Sequence, residues 1–177
     1  MKTFQLIPIS ISLIVTACLA SALLVGCAGK SAGLEAYKRG DYPTAFKEFR
    51  AEGGPDGDFA IGLMYYKGEG VKRDMREAAA YFRRAAAQGH PGAQNNLGLM
   101  HAQGRGLSKD QSQAVRWYRM AAEQGFDKAQ LNLGLQYARG AGVEKNRREA
   151  LRWLALSARQ GNSQAMKQLK LILGKNG

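Results

Sequence analysis

Residues 93 to 125 read AQNNLGLMHAQGRGLSKDQSQAVRWYRMAAEQG, and the same arrangement recurs 36 positions earlier and 36 positions later. The recurring positions are the glycines 62, 98 and 134; the glycines 68, 104 and 140; the glycines 70, 106 and 142; the alanines 78, 114 and 150; and the aromatic residues Tyr81, Trp117 and Trp153. Agreement at so many positions indicates an internal repeat. The chain therefore consists largely of one unit used three times.

Each unit is predicted to form two helices joined by a glycine-containing turn. In the middle unit, apolar residues at helical spacing run from Ala93 to Gln103, and Gly104 ends that helix. The second helix is expected to start at Asp110 and to run to Gln124. One such helix pair is too small to bury its own apolar face, so neighbouring units must stack into a superhelical solenoid.

The start of every second helix carries the pattern of a capping box. In this motif the cap side chain accepts a backbone N–H, and the side chain three residues later reaches back to the N–H of the cap. The pairs are Asp74 with Glu77, Asp110 with Gln113, and Asn146 with Glu149. Each cap is expected to stabilise its helix by about 1 kcal/mol.

A glycine stands inside each first helix, at positions 62, 98 and 134. Glycine in a helix interior costs about 1 kcal/mol relative to alanine, so its repetition indicates a close approach of two backbones. We expect Ala78, Ala86 and their counterparts to present a flat face to this glycine. The aromatic residue at position 81 and its counterparts are expected to fill the gap to the neighbouring unit.

These residues closely resemble the Sel1-like repeat family, a relative of the tetratricopeptide repeats. The resemblance rests on the pattern A-x-x-x-L-G-x-x-x-x-x-G-x-G-V/L-x-x-D/N-x-x-x-A-x-x-W/Y-x-x-x-A-A-x-Q-G, with units at residues 57–92, 93–128 and 129–164. It implies an all-α fold, a right-handed α-solenoid of helix-turn-helix repeats. His101 and Gln136 depart from the pattern, because Tyr and Met stand at the sister positions. Neither change alters the predicted fold.

The segments that flank the repeats are predicted to close the solenoid. Residues 34–56, which contain the run Gly40-Asp41-Tyr42-Pro43-Thr44-Ala45, resemble a tetratricopeptide helix pair that caps the start. Residues 165–177 are expected to form a closing helix, with Met166, Leu169, Ile172 and Leu173 on its apolar side, and a short tail. Residues 27–33 are interpreted as a tether.

Residues 1–26 have the form of a secretory signal peptide, because Met1-Lys2 precedes an apolar run that reaches Val25. The run ends in Leu24-Val25-Gly26-Cys27, which resembles the bacterial lipobox. The resemblance implies that Cys27 becomes the first mature residue and carries acyl chains, a firm anchor at about 0.8 kcal/mol per buried methylene. By the enteric sorting rule, Ala28 implies the outer membrane, with the protein facing the periplasm.

Two other interpretations of this N-terminus remain open. An apolar run of about 20 residues is long enough to stay uncleaved as a membrane anchor. A weaker lipobox ends at Cys18, but cleavage there would leave the apolar residues 19–25 exposed. Cleavage at Cys27 avoids that exposure and is the preferred interpretation.

The chain is strongly basic, with 26 Lys and Arg residues against 14 Asp and Glu residues and a formal net charge of +12. Removal of residues 1–26 takes away only Lys2, which leaves a net charge of +11. For an exported protein, this charge favours an anionic lipid surface, an acidic polymer or an acidic protein over nucleic acid. The alternative is that the surplus Lys and Arg simply solvate the outer faces of the helices.

The sequence offers little for catalysis, metal binding or a cofactor. The chain has two histidines and two cysteines, and neither histidine has a second ligand at metal-binding spacing. His101 replaces the Tyr of the sister units and is interpreted as a packing residue, while His90 is expected to be solvated in the turn before Pro91. Cysteine-rich members of the resembling family are linked to β-lactam binding or hydrolysis, but the repeats of this chain contain no cysteine.

The resemblance places a binding groove on the concave side of the solenoid, lined by the first helices. Its positions lie just before and after the Leu-Gly pair of each unit, and they form an apolar strip edged by basic residues. The predicted groove residues are Phe59, Leu63, Tyr66, Lys67, Asn95, Leu99, Leu131, Leu135 and Arg139. An exposed apolar strip indicates a partner. The alternative is that tight curvature buries these residues between the units.

The sequence therefore predicts a non-enzymatic, lipid-anchored module of the bacterial envelope that holds a protein partner in its groove. The resemblance implies an assembly scaffold, an immunity protein that neutralises an acidic toxin, or a virulence accessory. The alternative function is a basic binder of anionic envelope polymer, such as glycan or lipopolysaccharide, or of the membrane surface. No cofactor, nucleic acid or small-molecule substrate is expected.

Overall fold

The computed structural model describes residues 31–174, and this part of the chain contains helices and no strand. The helices are α1 (Ala32–Lys38), α2 (Tyr42–Glu52), α3 (Gly54–Lys67), α4 (Met75–Ala87), α5 (Pro91–Gln103), α6 (Gln111–Glu123), α7 (Asp127–Arg139), α8 (Arg147–Arg159) and α9 (Ser163–Leu173). Among these helices, none is both long and apolar enough to cross a membrane. The predicted all-α solenoid is confirmed.

The helices pack in the order in which they occur along the chain. The most extensive contacts join α3 with α4, α5 with α6, and α7 with α8, which are the two helices of each repeat. Neighbouring repeats meet where α4 packs on α5 and α6 packs on α7. Helices α1 and α2 cover the first repeat, and α9 packs on α8 at the other end. Because each unit contacts mainly its neighbours, the buried apolar residues form four clusters that follow one another along the molecule.

The predicted signal peptide at residues 1–26, the predicted lipidation site Cys27, most of the predicted tether and residues 175–177 of the predicted tail lie outside the described residues. Helix α1 already begins at Ala32, within the predicted tether. The reason is local, because the Ser31 hydroxyl accepts the backbone N–H of Leu34 and so caps this helix.

The caps of the second helices differ from the predicted capping box in one half of the motif. The Asp74 carboxylate accepts the backbone N–H groups of Arg76 and Glu77, as expected. The backbone N–H of the cap, however, bonds to a carbonyl oxygen of the preceding first helix. The pairs are Asp74 to Tyr65 at 3.0 Å, Asp110 to His101 at 2.9 Å, and Asn146 to Tyr137 at 3.0 Å. The predicted return bond from the third residue is wrong, since this N–H already joins the two helices of the unit.

The helix-interior glycines meet a different partner from the one predicted. A methyl group added at Gly98 would lie 2.5 Å from Cε1 of the buried Tyr118 ring, and one added at Gly62 would lie 2.6 Å from Cδ1 of Phe82. At Gly134 the neighbour is Leu154. The glycine therefore makes room for a large buried side chain of the second helix, which the sequence did not predict. The predicted alanine face is present in part, because the carbonyl oxygens of Ala78 and Ala150 lie 3.4 Å and 3.2 Å from the methyl groups added at Gly62 and Gly134. The close approach itself is confirmed.

A polar pair joins the end of each second helix to the start of the first helix of the same unit. In the second and third units, Gln124 donates to Gln94 at 2.7 Å, and Gln160 donates to Gln130 at 2.8 Å. In the first unit the corresponding position holds Asp58, which is buried. Its partner is Arg84, with Nη2 3.0 Å from the carboxylate. The equivalent positions 58, 94 and 130 thus take part in an ion pair in the first unit and in an amide pair in the other two.

Candidate binding groove

Four cavities lie in a row along the first helices. The N-terminal cavity, about 520 Å³, lies between α1, α2 and α3. The second, about 430 Å³, shares Phe59, Leu63 and His90 with it. The third is about 290 Å³. The C-terminal cavity, about 430 Å³, shares Leu135 and Arg139 with the third. The second and third share no lining residue, but Asn132 of the third donates a hydrogen bond to Asn95 of the second at 2.9 Å. We call the row of four cavities the concave groove.

Most of the predicted groove residues line these cavities, although the burial of the set is uneven. Phe59, Leu63 and Lys67 line the N-terminal cavity, Asn95 lines the second, and Leu99, Leu135 and Arg139 line the third or the C-terminal cavity. Tyr66 and Leu131 line none of the four.

Two of the predicted residues are already used inside the protein. Leu131 is 6% exposed and packs in a cluster with Leu154 and Ala165. Asn95 is 4% exposed, and its Oδ1 accepts a hydrogen bond from Asn132 at 2.9 Å. The alternative of burial between units therefore holds for these two positions, whereas Leu63, Leu99 and Leu135 keep part of their side chains accessible.

The sequence analysis expected His90 to be solvated, but the structure places it half-buried at the groove. Its ring stacks on Phe59 with centroids 4.2 Å apart. Its Nδ1 accepts the backbone N–H of Ala93 and so caps α5, and Nε2 lies 3.4 Å from the Asp56 carboxylate. Burial lowers the pKa of His90, while the Asp56 charge opposes that shift. A neutral ring with its proton on Nε2 fits both contacts.

Lys67 at the rim of the N-terminal cavity is held by neighbours from two elements. Its Nζ donates to the Tyr37 hydroxyl at 2.8 Å and lies 3.4 Å from Glu69. The hydrogen bond to Tyr37 raises the pKa of Lys67. The Tyr37 hydroxyl in turn donates to Glu69. The positive charge at this end is therefore largely satisfied within the protein.

The N-terminal cavity is aromatic and carries carboxylates. Tyr37, Phe49 and Phe59 form its walls, and Glu52 and Asp56 stand at its edge. Glu52 is engaged, because it accepts hydrogen bonds from Ser31. Tyr66 lies beside this region, and its hydroxyl accepts a hydrogen bond from Arg105 at 3.0 Å, which ties the first unit to the turn of the second.

The arginines of the second helices are only partly available to a ligand. Four of the nine are engaged: Arg84 with Asp58, Arg119 with the Tyr137 hydroxyl, Arg147 with the Ile172 carbonyl, and Arg152 with Glu149. The other five, Arg76, Arg83, Arg116, Arg148 and Arg159, make no ion pair within residues 31–174. Only Arg84 and Arg152 form ion pairs within residues 31–174, so an anionic surface would meet most of these arginines with their charge uncompensated.

Potential catalytic groups are scarce and separated in the described part of the chain. Within residues 31–174, no group of three or more His, Cys, Asp or Glu side chains is placed to hold a metal ion. His101 is half-buried, with Nδ1 3.3 Å from the Ser108 carbonyl oxygen. Burial raises the pKa of Tyr118, so its phenol stays neutral.

Comparison with known proteins agrees with the repeat spacing. The family model described as Sel1 repeat matches residues 55–90, 91–126 and 127–162, which together make up more than half of the chain. Each match begins two residues before the unit boundary inferred from the sequence. The offset is consistent with the start of α5 at Pro91, because Pro at the first helical position and the His90 cap extend that helix backward.

Solved structures show the same solenoid. A Sel1 repeat protein from Oxalobacter formigenes is 38% identical over 78% of this chain, with a TM-score of 0.75. The protective antigen c5321 of uropathogenic Escherichia coli is 36% identical over 75% of this chain, with a TM-score of 0.72. The matches cover 58% and 29% of the lengths of those two proteins.

A more distant likeness supports the fold alone. Helicobacter pylori cysteine rich protein B is 19% identical, with a TM-score of 0.59 over 71% of this chain and 96% of its own length. None of the curated proteins compared with the chain resembles it significantly.

Proposed function

The chain belongs to the Sel1 repeat family, and from this membership we propose that it is a non-enzymatic module that holds one protein partner in its concave groove. Sel1 repeats are protein-interaction modules, and proteins of this class are generally non-catalytic scaffolds. The finer statement, that the partner belongs to the bacterial envelope, rests on the signal-like N-terminus and the strongly basic charge.

The observation that carries the proposal is the row of four cavities along the first helices. Leu63, Leu99 and Leu135 stand at matching positions of three repeats, and each exposes part of an apolar side chain toward a cavity. Apolar surface that lines a concave face gains free energy when a partner covers it, at roughly 25 cal/mol per Å². An extended or helical segment of a protein fits such a row, because it can present side chains at regular intervals.

The proposed location is the periplasmic face of the outer membrane, with the lipid on Cys27 as the anchor. Cleavage before Cys27 would leave residues 28–30 between the lipid and the Ser31 cap of α1, which keeps the solenoid close to the membrane. Metabolic labelling with a palmitate analogue tests this step. Label is expected on the natural chain and absent from Cys27→Ala, and label that persists in Cys27→Ala contradicts it.

Two roles fit this function, and their stoichiometry separates them. An assembly scaffold bridges two proteins, each weakly, whereas an immunity protein holds one toxin tightly in a one-to-one complex. The size of the groove suits either role. Analytical ultracentrifugation of the purified complex distinguishes them by its mass.

A second candidate function is binding to an anionic polymer or membrane surface. The observation that favours it is the set of second-helix arginines without an ion pair, on a chain with net charge +12. Attraction of this kind is screened by salt within a Debye length of about 10 Å at 0.1 M. Apolar contacts in the concave groove are far less sensitive to salt.

Capture from envelope extract at low and high salt tests the two functions. We expect the full chain to retain its partner at high salt, and Leu99→Glu, which places a charge in the groove, to lose it. Met120→Glu is the matched control, because Met120 is an exposed apolar residue of α6 at 45% exposure. Melting curves verify that both variants are folded. Loss of all captured material at high salt, or equal capture by the two variants, contradicts binding in the groove.

A further inference from the structure

The C-terminal cavity combines an apolar wall with three cations. It is formed by α7, α8, α9 and the turn between α7 and α8, and its apolar wall includes Leu135 and Ile172. The cations are Arg139, Lys145 and Arg147, and no Asp or Glu lines the cavity. A ligand that fills it must therefore offer both apolar surface and negative charge.

The three cations are not neutralised by the described part of the protein. None of them forms an ion pair within residues 31–174. Arg147 donates one hydrogen bond to the Ile172 carbonyl oxygen at 2.8 Å, which fixes the guanidinium beside the cavity but leaves its charge uncompensated. Glu144 precedes Lys145 in the chain but is exposed and makes no ion pair there.

The outer side of α9 adds exposed apolar surface beside these charges. Leu171 lines the cavity and is 50% exposed, and Leu173 is 54% exposed. Contiguous exposed apolar surface beside a cavity is typical of an interaction site. The nearby cations then select which apolar group can approach.

The opposite end of the concave groove has the reverse electrostatic character. There Lys67 is engaged by Tyr37 and Glu69, and the carboxylates of Glu52 and Asp56 stand at the edge. A uniformly basic groove would accept an acidic segment anywhere along its length. The observed difference between the two ends restricts the acidic part of a partner to the C-terminal end.

We propose that the C-terminal cavity takes an acidic segment of a protein partner, with a leucine-like anchor against Leu171 and Ile172 and carboxylates facing Arg139, Lys145 and Arg147. This inference rests on the proposed function and adds the chemistry and position of the partner's segment. A protein segment is favoured over a membrane because a concave cavity of about 430 Å³ admits side chains, whereas a bilayer meets only protruding surface.

The test uses fluorescence anisotropy with the full chain and short fluorescein-labelled peptides. The first peptide contains Glu and Leu, the second replaces Glu by Lys, and the third replaces Leu by Ser. We expect the Glu-Leu peptide to bind at least about tenfold more tightly than either of the others, because it alone satisfies both parts of the cavity. Equal binding of the Glu-Leu and Glu-Ser peptides would overturn the apolar half of the proposal.

Matched variants locate the site. The double change Arg139→Glu with Lys145→Glu is expected to weaken binding of the Glu-Leu peptide by at least about tenfold. The control is Arg83→Glu with Arg116→Glu, which alters the net charge equally on exposed second-helix positions. Leu171→Ser is expected to weaken binding about fivefold, whereas Met120→Ser leaves it unchanged. Equal effects of the two double changes would overturn the location, since net charge alone would then explain binding.

Other occupants give distinct results. Concentration-dependent dimerisation abolished by Leu171→Ser would show that a second copy covers α9, and would overturn the proposal. Binding to vesicles of anionic phospholipid that competes with the peptide and depends on Arg139 and Lys145 would also overturn it, in favour of a membrane.

If no peptide binds but the envelope partner is still lost in Leu99→Glu, this inference fails and the proposed function stands. If the Glu-Leu peptide binds as expected but the groove captures no partner, the proposed function fails.

Discussion

The first repeat and the two later repeats share one backbone but differ in the side chains that hold it together. At the register where the second and third repeats place buried Gln94 and Gln130, the first repeat places a buried Asp58. Its partner changes accordingly, from the Gln at the end of the second helix to Arg84. The glycines and helix caps decide the path of the chain, and the residue at each variable register decides the local chemistry.

The position before each later first helix shows the same contrast. His90 caps α5 through Nδ1, Asn162 caps α9 through Oδ1, and Phe126 offers no side-chain cap to α7. All three residues nevertheless have an extended backbone and directly precede the first residue of their helix. The comparison therefore predicts that a change at a register shared by all repeats costs more stability than a change at a register where the repeats differ.

The largest effect is expected at a shared register, with Gly98→Val. Its side chain would collide with the Tyr118 ring, which is 2% exposed and has no room to move. We expect the free energy of unfolding to fall by about 3 kcal/mol and the Tm by roughly 10 °C. The control is Gly174→Val, because a methyl group there meets nothing within 4 Å. An unchanged Tm for Gly98→Val in thermal melting would contradict the packing described for this glycine.

The next effect separates the first repeat from the second. Arg84→Ala leaves the Asp58 carboxylate buried without its partner and should cost about 2 kcal/mol, whereas Gln124→Ala should cost about 1 kcal/mol. Denaturant unfolding measures both values.

A compensating change sharpens this test. Asp58→Gln introduces the residue of the later repeats, which Gln88 can then meet as Gln124 meets Gln94. Adding it to Arg84→Ala should restore most of the lost stability. If the double variant is no more stable than Arg84→Ala, the difference between the repeats does not arise from this pair.

The smallest expected effect is a pH dependence of stability caused by His90, the only titratable residue among the three positions compared above. Burial lowers the pKa of His90 in the folded protein, so the unfolded chain binds the proton more readily. The stability that neutral His90 contributes is therefore present above the usual pKa of 6.5 and is lost as the pH falls below it. Protonation of His90 should therefore lower the Tm by a few degrees between about pH 7.5 and about pH 5.5.

His90→Asn provides the comparison, because Asn162 already fills the same role in the chain and does not titrate. Thermal melts of this variant should show a smaller drop over the same pH interval. An identical drop in the natural chain and the variant would assign the pH dependence to other groups.

The repeat spacing was sufficient to predict the fold, because glycine positions, cap residues and apolar periodicity are local features. Side-chain partners across the unit were harder to predict. Tyr118 follows the aromatic Trp117 that the pattern emphasised, yet it is Tyr118 that fills the space left by Gly98. His90 looked like a turn residue, since nothing in the sequence shows that Phe59 lies beneath its ring.

The groove residues were predicted by position within the repeat and not by their exposure. Leu131 and Leu135 have the same residue type and lie one helical turn apart, but packing against α9 and α8 buries the first and leaves the second partly open. Burial of this kind depends on how neighbouring units stack, which the sequence pattern does not contain. The charge difference between the two ends of the groove depends on the same stacking.

Site-specific photo-crosslinking in intact cells tests most directly whether the concave groove holds a protein partner. A benzoylphenylalanine residue is placed at position 63 or 99 in the groove, or at position 83 or 120 on exposed sites of the second helices. We expect one discrete crosslinked protein from both groove positions and none from the other two. Crosslinks that arise only from positions 83 and 120, or equally from all four, would contradict the account.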